Sequence, residues 1–335
     1  MKLLIKSIDN DGRLAPVPRL VETPWEILVA DHTDRAAFAA AMRQADALVS
    51  MQWPRDYPDG PGLRLVQLPG AGTDEIDFDA VPPGASVCNA YEHEIGISEF
   101  VLAGMLEWVT QLRRLDAEFR TGRWWGSYLC GPRHGDLFGK TLAIVGYGRI
   151  GRETARRAHA FGVRVTAVSR TSGPGDQWCE RVQPMTELLP VIAQADFILC
   201  ALPLDESTRG ILDAPAFRAM KPTAVVMNVG RGATIDESAL YEACRSRSIG
   251  GAIIDTWYSY PPQSTDLVPI HRPSRYPFHE LDNVIMTPHA SAWTDALAER
   301  RCTIIARNLD RLARGEPLLN VVRPPRSAVA ERHAS

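Results

Sequence analysis

The stretch Thr141–Gly151 reads TLAIVGYGRIG: an apolar run, a glycine turn, and the opening of a helix that the pattern carries from Arg149 to Phe161. Gly146, Gly148 and Gly151 stand in the G-x-G-x-x-G spacing. In that spacing the first glycine makes the turn, the second lets a pyrophosphate come close, and the third lets helix and strand pack tightly. The helix N-terminus adds unpaired N–H groups and the positive end of a dipole. Gly146, Tyr147, Gly148, Arg149, Ile150 and Gly151 are therefore candidates to hold a dinucleotide. The same glycines would also serve a plain strand–helix corner, but the buried strand before them and the helix after them favour the dinucleotide.

Outward from this turn, the next predicted strand is Val163–Val168, and it ends in Ser169, Arg170 and Thr171. An NAD site places an acid here for the ribose hydroxyls. An arginine with two hydroxyl neighbours suits a 2′-phosphate instead, through charge-assisted hydrogen bonds. The reading is NADP(H) preferred and NAD(H) possible; the alternative is a solvated Arg170 and an indifferent site. Further strands are expected at Asp196–Ala201, Ala224–Asn228, Gly251–Ile254 and Asn283–Thr287. Between them Asp236 caps a helix running to Arg245, and Glu187 opens a shorter one. Six strands in this order predict a Rossmann-type doubly wound parallel sheet.

The chain before this region alternates in the same way. Strands are expected at Leu3–Ile8, Ile27–Ala30, Ala47–Met51, Leu63–Leu68 and Ser86–Asn89, with a helix at Arg35–Ala45. The helical pattern Ile95–Phe119 is too long for a routine connection and reads as one crossover helix between domains. A last helix, capped by Thr294, runs to about Ala313, and the tail from Arg323 is expected to be poorly ordered.

Composition excludes several classes. The 335 residues carry a net charge of −3, with 45% apolar and 23% charged residues, so nothing points to nucleic acid or an anionic membrane. The first ten residues, MKLLIKSIDN, lack the apolar region of a signal peptide, and no stretch has the length of a membrane span. Six cysteines lie far apart with no C-x-x-C pair, which suits a reducing cytoplasm. No metal-ligand spacing is visible among the eight histidines.

Several ordered motifs then carry a resemblance over nearly the whole chain: LFGKTLAIVGYGRIG, LPLDESTRGIL at 202–212, NVGRGATIDESAL at 228–240, GAIIDTW at 251–257 and NVIMTPHAS at 283–291. The sequence resembles the D-isomer-specific 2-hydroxyacid dehydrogenases, the group of glyoxylate/hydroxypyruvate reductases, phosphoglycerate dehydrogenases and formate dehydrogenase. The resemblance implies a homodimer and an α/β chain of two domains. One is a Rossmann domain over 99–291; the other is a smaller, flavodoxin-like substrate domain made from 1–98 and 292–335. It implies that Arg231 binds the carboxylate and carbonyl of a 2-keto acid, and that His289 exchanges the proton. It implies that Asp255 contacts the nicotinamide, that Pro203, Thr208 and Asn228 lie near the cofactor, and that the loop Pro69–Gly70–Ala71–Gly72 cradles the substrate carboxylate. The expected reaction is reduction of a 2-keto acid to a D-2-hydroxy acid with NADPH. The alternatives are a dinucleotide-sensing, corepressor-like protein without turnover, or a dehydrogenase acting on another small oxyanion.

Three departures from the family pattern stand out. The glutamate that pairs with the catalytic histidine is replaced by Tyr260, which adds no charge to keep the imidazole protonated. The segment between Tyr260 and His289 is long, and its part around Ser264–Tyr276 carries His271, Arg272 and Arg275, suggesting a loop that shapes access or meets an acidic substrate. The segment Tyr91–Glu94 holds two acids and a histidine where small or amide residues are common, and Glu94 is the candidate to contact substrate and replace the missing partner of His289.

Overall fold

A computed structural model describes residues 1–6, 14–262 and 270–326. The chain begins with β1 (Lys2–Lys6), α1 (Val17–Leu20), β2 (Glu26–Ala30), α2 (Arg35–Met42), β3 (Ala47–Val49), β4 (Leu65–Gln67) and β5 (Ser86–Cys88). It continues through α3 (His93–Thr110), α4 (Leu112–Arg120), β6 (Thr141–Val145), α5 (Arg149–Ala160), β7 (Arg164–Ser169), β8 (Val182–Pro184), α6 (Leu188–Ala193) and β9 (Phe197–Cys200). Then follow α7 (Ala214–Ala219), β10 (Val225–Asn228), α8 (Glu237–Arg245), β11 (Gly251–Ile254), β12 (Val284–Met286), α9 (Asp295–Arg314) and β13 (Val321–Arg323). Two compact units result: Met1–Glu92 with Thr294–Ser335, and His93–Trp293. The divisions fall at 92/93 and 293/294, not at 98/99 and 291/292, because α3 belongs from its first turn to the second unit, where it packs on α5.

The second unit holds a parallel sheet in the order β12-β11-β10-β9-β6-β7-β8. Strand periodicity explains its two cores. In β6, Leu142 and Ile144 face one layer while Ala143 and Val145 face the other; in β9, Phe197 and Leu199 divide from Ile198 and Cys200 in the same way. Helices α3 and α5 cover the first face, and α6, α7 and α8 cover the second. Each fully buried aliphatic side chain contributes roughly 1.5–3 kcal/mol of transfer free energy. The order reverses between β6 and β9, the switch point at which open sheets of this type receive ligands beyond the strands' carboxyl ends.

The first unit has its own sheet, β13-β5-β4-β3-β1-β2. Its parallel strands follow the flavodoxin-like order 2-1-3-4-5, and β13 adds antiparallel to β5. It too has an apolar layer on each face.

Four expectations change. The long crossover helix is two helices, bent by 53° at Gln111, whose φ of 52° is left-handed. No glycine or proline marks that break. The Rossmann sheet gains β8, too short to register as a pattern. Thr294 stands at the N-cap of α9 but its hydroxyl makes no capping bond there, whereas Asp236 caps α8 by accepting from the Ala239 N–H at 2.8 Å. Arg323 is an ordered strand residue: its guanidinium, 7% exposed, donates to the carbonyls of Val81, Pro82 and Ala85. The part of the tail beyond Arg326 lies outside the described residues, as do Ser7 and Ile8 of the first strand and residues 264–269 of the long loop.

Candidate active site

The three glycines of the 146–151 turn serve three different needs. Gly146 has φ 104°, and a Cβ there would lie 2.9 Å from the Ala201 carbonyl oxygen. A Cβ on Gly151 would lie 2.5 Å from the Gly146 oxygen and 3.1 Å from Ile144, so helix and strand meet only because it is absent. At Gly148 nothing stands within 4 Å, and the residue is the exposed N-cap of α5 with no side-chain cap. This leaves a bare backbone approach and an uncapped helix start, which fit a dinucleotide pyrophosphate.

Ser169 is half-buried at the end of β7, while Arg170 and Thr171 are exposed. Tyr147 is turned inward, 5% exposed, and its hydroxyl donates to Asp176 at 3.0 Å. The same carboxylate pairs with Arg152 at 3.1 Å and accepts the N–H groups of Trp178 and Cys179. Burial, reinforced by the Asp176 bond, pushes the Tyr147 phenol well above its usual range. The Tyr147 side chain thus ties the turn to the segment after β7 and is not presented to a cofactor. Asp176 was invisible in the sequence because no motif places an acid seven residues beyond the strand.

Arg231 lies in the loop after β10. A Cβ on Gly230 would come within 2.5 Å of the Leu202 oxygen, and one on Gly232 within 2.2 Å of the Trp257 oxygen. The G-R-G pattern therefore lets this loop thread between two neighbouring chain segments. Asn228, 1% exposed, shapes it: its amide donates to the Arg231 carbonyl and its oxygen accepts the Gly230 N–H, both at 3.1 Å. Thr208 is committed locally as well, donating to the Pro203 carbonyl at 2.7 Å and accepting the Asp205 N–H at 2.8 Å. The side chains of Asn228 and Thr208 therefore position backbone.

His289 follows β12 with a left-handed φ of 56°. Asp255, fully buried, holds that conformation by accepting from the Thr287 hydroxyl at 2.6 Å and from the N–H groups of Ala290 and Ser291 at 2.8 and 3.0 Å. Trp257 adds a bond from its indole N–H to the Thr287 carbonyl at 2.8 Å. The Tyr260 hydroxyl lies 3.0 Å from His289 Nδ1 and accepts the Trp257 N–H at 3.0 Å. A phenol in this position serves both imidazole states: it donates to Nδ1 of the neutral ring and accepts from the charged one. A carboxylate can only accept, so it needs a proton on Nδ1, and its charge favours the imidazolium. Desolvation lowers the His289 pKa below the ordinary imidazole value; Asp255 opposes this, and the charge of Arg231 adds to it. Tyr260 is raised by burial, against the Trp257 bond and Arg231.

Glu94 does not partner His289. It lies in the first turn of α3, with a carboxylate oxygen 3.8 Å from Arg149 and the other 3.6 Å from His93. Among the basic residues of the long loop, Arg275 pairs with Glu237 at 2.9 Å and His271 meets the Ser259 hydroxyl at 2.8 Å; only Arg272 is exposed without such a bond among the described residues. In the first unit, the loop 69–72 has its carbonyls turned back: Gly70 O accepts the Ala90 N–H at 3.0 Å and Ala71 O accepts Asn89 Nδ2 at 2.9 Å. The N–H groups of Gly70, Ala71 and Gly72 have no acceptor among the described residues. No cluster of metal-ligating side chains occurs among those residues either.

The family profile "D-isomer specific 2-hydroxyacid dehydrogenase, NAD binding domain" matches residues 102–291. The chain belongs to the D-isomer specific 2-hydroxyacid dehydrogenases. This family consists of oxidoreductases acting on CH–OH groups. Its curated relatives include a hydroxypyruvate reductase from Thermotoga maritima, 32% identical over 83% of this chain and 87% of the relative. A glyoxylate reductase from Thermococcus gammatolerans is 30% identical over 84% of each. A D-3-phosphoglycerate dehydrogenase from Methanocaldococcus jannaschii is 29% identical over 96% of this chain, which spans 60% of that longer protein. Among solved structures, an NADPH-dependent glyoxylate/hydroxypyruvate reductase from Sinorhizobium meliloti, in complex with citrate, superposes with a TM-score of 0.76 at 25% identity, covering 97% of this chain and 98% of that one.

Proposed function

We propose that this dehydrogenase-family chain reduces a small 2-keto acid to the D-2-hydroxy acid, with NADPH preferred over NADH. The observation that carries the reading is the His289 imidazole, hydrogen-bonded to Tyr260 and near enough to Arg231 for that charge to lower its pKa, on the carboxyl edge of the same sheet that bears the glycine turn. When bound, NADPH supplies the hydride. The 146–151 turn and the start of α5 hold its pyrophosphate, and Ser169, Arg170 and Thr171 hold the 2′-phosphate. Arg231 binds the substrate's carboxylate and carbonyl oxygen and fixes the carbonyl's orientation. The Nε2–H bond of His289 breaks as a proton passes to the carbonyl oxygen, giving the hydroxyl. Tyr260 keeps Nδ1 satisfied throughout. The free N–H groups of 70–72 receive the carboxylate. Asp255 acts by holding the 287–291 segment, with a nicotinamide contact as its second role.

The chain works in the cytoplasm as a homodimer in this reading. All six cysteines are unpaired thiols, which supports a reducing compartment. Large apolar side chains crowd the surface of 112–138, with Tyr128 96% and Phe138 82% exposed, which supports a second copy covering them. A turnover screen of glyoxylate, hydroxypyruvate and larger 2-keto acids tests the function, with NADPH and NADH side by side. The expected result is keto-acid reduction with a higher kcat/KM for NADPH. Dinucleotide binding with no turnover on any keto acid would overturn it in favour of a sensor.

A further inference from the structure

The loop 69–72 has two neighbours in its own unit that the reaction as described does not use. Both converge on Gly70. A Cβ built there would lie 3.3 Å from the sulfur and methyl of Met51 and 4.0 Å from Nη1 of Arg301. Met51 follows β3 and keeps 39% of its surface exposed. Arg301 comes from α9 and is half-buried, its Nε donating to the Tyr91 carbonyl at 3.2 Å. That bond fixes the plane of a guanidinium that carries five donors.

The electrostatics of the loop make Arg301 notable. In the proposed reading the three N–H groups of 70–72, which have no acceptor among the described residues, receive the two oxygens of one carboxylate. A rigid cationic fork beside them suits a second anionic group, because guanidinium and carboxylate pair in a planar, charge-assisted geometry. The Met51 thioether, 3.3 Å from the same built Cβ, offers an apolar, adaptable surface for the methylenes that would separate two acids. We infer that Arg301 is a specificity-determining residue that selects 2-keto acids bearing a second carboxylate, with Met51 supporting the carbon chain between the two acids. This rests on the keto-acid reductase reading.

The test compares substrates of equal length: 2-ketoglutarate against 2-ketovalerate, each with NADPH, in wild type, Arg301→Met and Arg301→Lys. Thermal melts check that each variant is folded. Wild type is expected to prefer the diacid. Arg301→Met is expected to lower kcat/KM for 2-ketoglutarate by at least about tenfold, through KM, and to leave 2-ketovalerate within about twofold. Arg301→Lys should retain part of the preference, since it keeps the charge and loses the fork. Equal losses on both substrates would assign Arg301 to the shared carboxylate and overturn the inference. An unchanged diacid-to-monoacid ratio, or a wild type that turns over monoacids without favouring diacids, would also overturn it while leaving the reductase reading intact. If neither cofactor supported reduction of any keto acid, the reductase reading would fall, and this inference with it.

Discussion

The glycine turn at 146–151 and the histidine segment at 255–289 stand on one sheet edge but are built by opposite means. The turn is made of backbone. Its shape follows from two Cβ atoms that would have no room, at Gly146 and Gly151, and from an open, uncapped helix start at Gly148. The histidine segment is made of side chains. Asp255 clasps 287–291, Trp257 pins both Thr287 and Tyr260, and Tyr260 meets the imidazole. A backbone site tolerates no added side chain where the chain itself fills the space, as at Gly146 and Gly151. A side-chain site keeps its geometry while a partner changes from acid to phenol, and what changes is the proton's energy.

This contrast is tested most severely by removing the proton carrier. His289→Ala is expected to cut keto-acid turnover by about 10²–10⁴-fold. Binding of NADPH, followed by fluorescence titration, should stay unchanged, because the turn does not depend on that side chain. Unaltered turnover would remove His289 from the chemistry. The complementary variant, Gly151→Ala, strikes the backbone site. Its methyl would need the space of the Gly146 carbonyl, 2.5 Å away, and what it meets there is backbone, not the movable end of a side chain. Overpacking of this kind costs roughly 1–3 kcal/mol. A lower Tm together with weakened NADPH binding is expected; a melt and a titration like those of wild type would show that the close helix–strand packing at Gly151 is dispensable.

The same contrast explains what the sequence made legible. Spacing and periodicity located the turn and the strands β6, β9, β10 and β11, since each obeys a short-range steric or periodic rule, while Arg231 and its flanking glycines came with the resemblance. The resemblance located His289 and Tyr260 by position. What it could not locate were the particular partners that side chains take up on folding. Asp176 reaches Tyr147 from beyond β7, Asn228 and Thr208 turn inward to their own loops, and Glu94 meets Arg149. The bend at Gln111 was hidden for a related reason: a left-handed glutamine has no sequence signature, and the apolar pattern runs straight through it.

The smallest expected effect is also the most informative about Tyr260. Burial and Arg231 favour the neutral form of His289, Asp255 favours the charged form, and the Tyr260 phenol contributes no charge of its own. The folded-state pKa therefore lies below the ordinary imidazole value of 6.5. Reduction needs the proton on the ring, so kcat/KM for a keto acid should be highest below that pKa and fall as pH rises through it, a decline already under way by pH 6.5. Oxidation of the hydroxy acid needs the neutral ring and should rise over the same interval. Tyr260→Glu places a carboxylate beside Nδ1, where it can still accept the Trp257 N–H and now favours the imidazolium. The descending limb of reduction should move to higher pH, and each unit of displacement raises the charged population above it tenfold. Tyr260→Phe removes the hydroxyl without adding charge. It should leave the limb on the acid side of 6.5 and lower kcat by about tenfold, roughly the worth of one lost hydrogen bond. Coincident limbs in wild type and Tyr260→Glu would mean that the group titrating in the pH–rate profile is not His289.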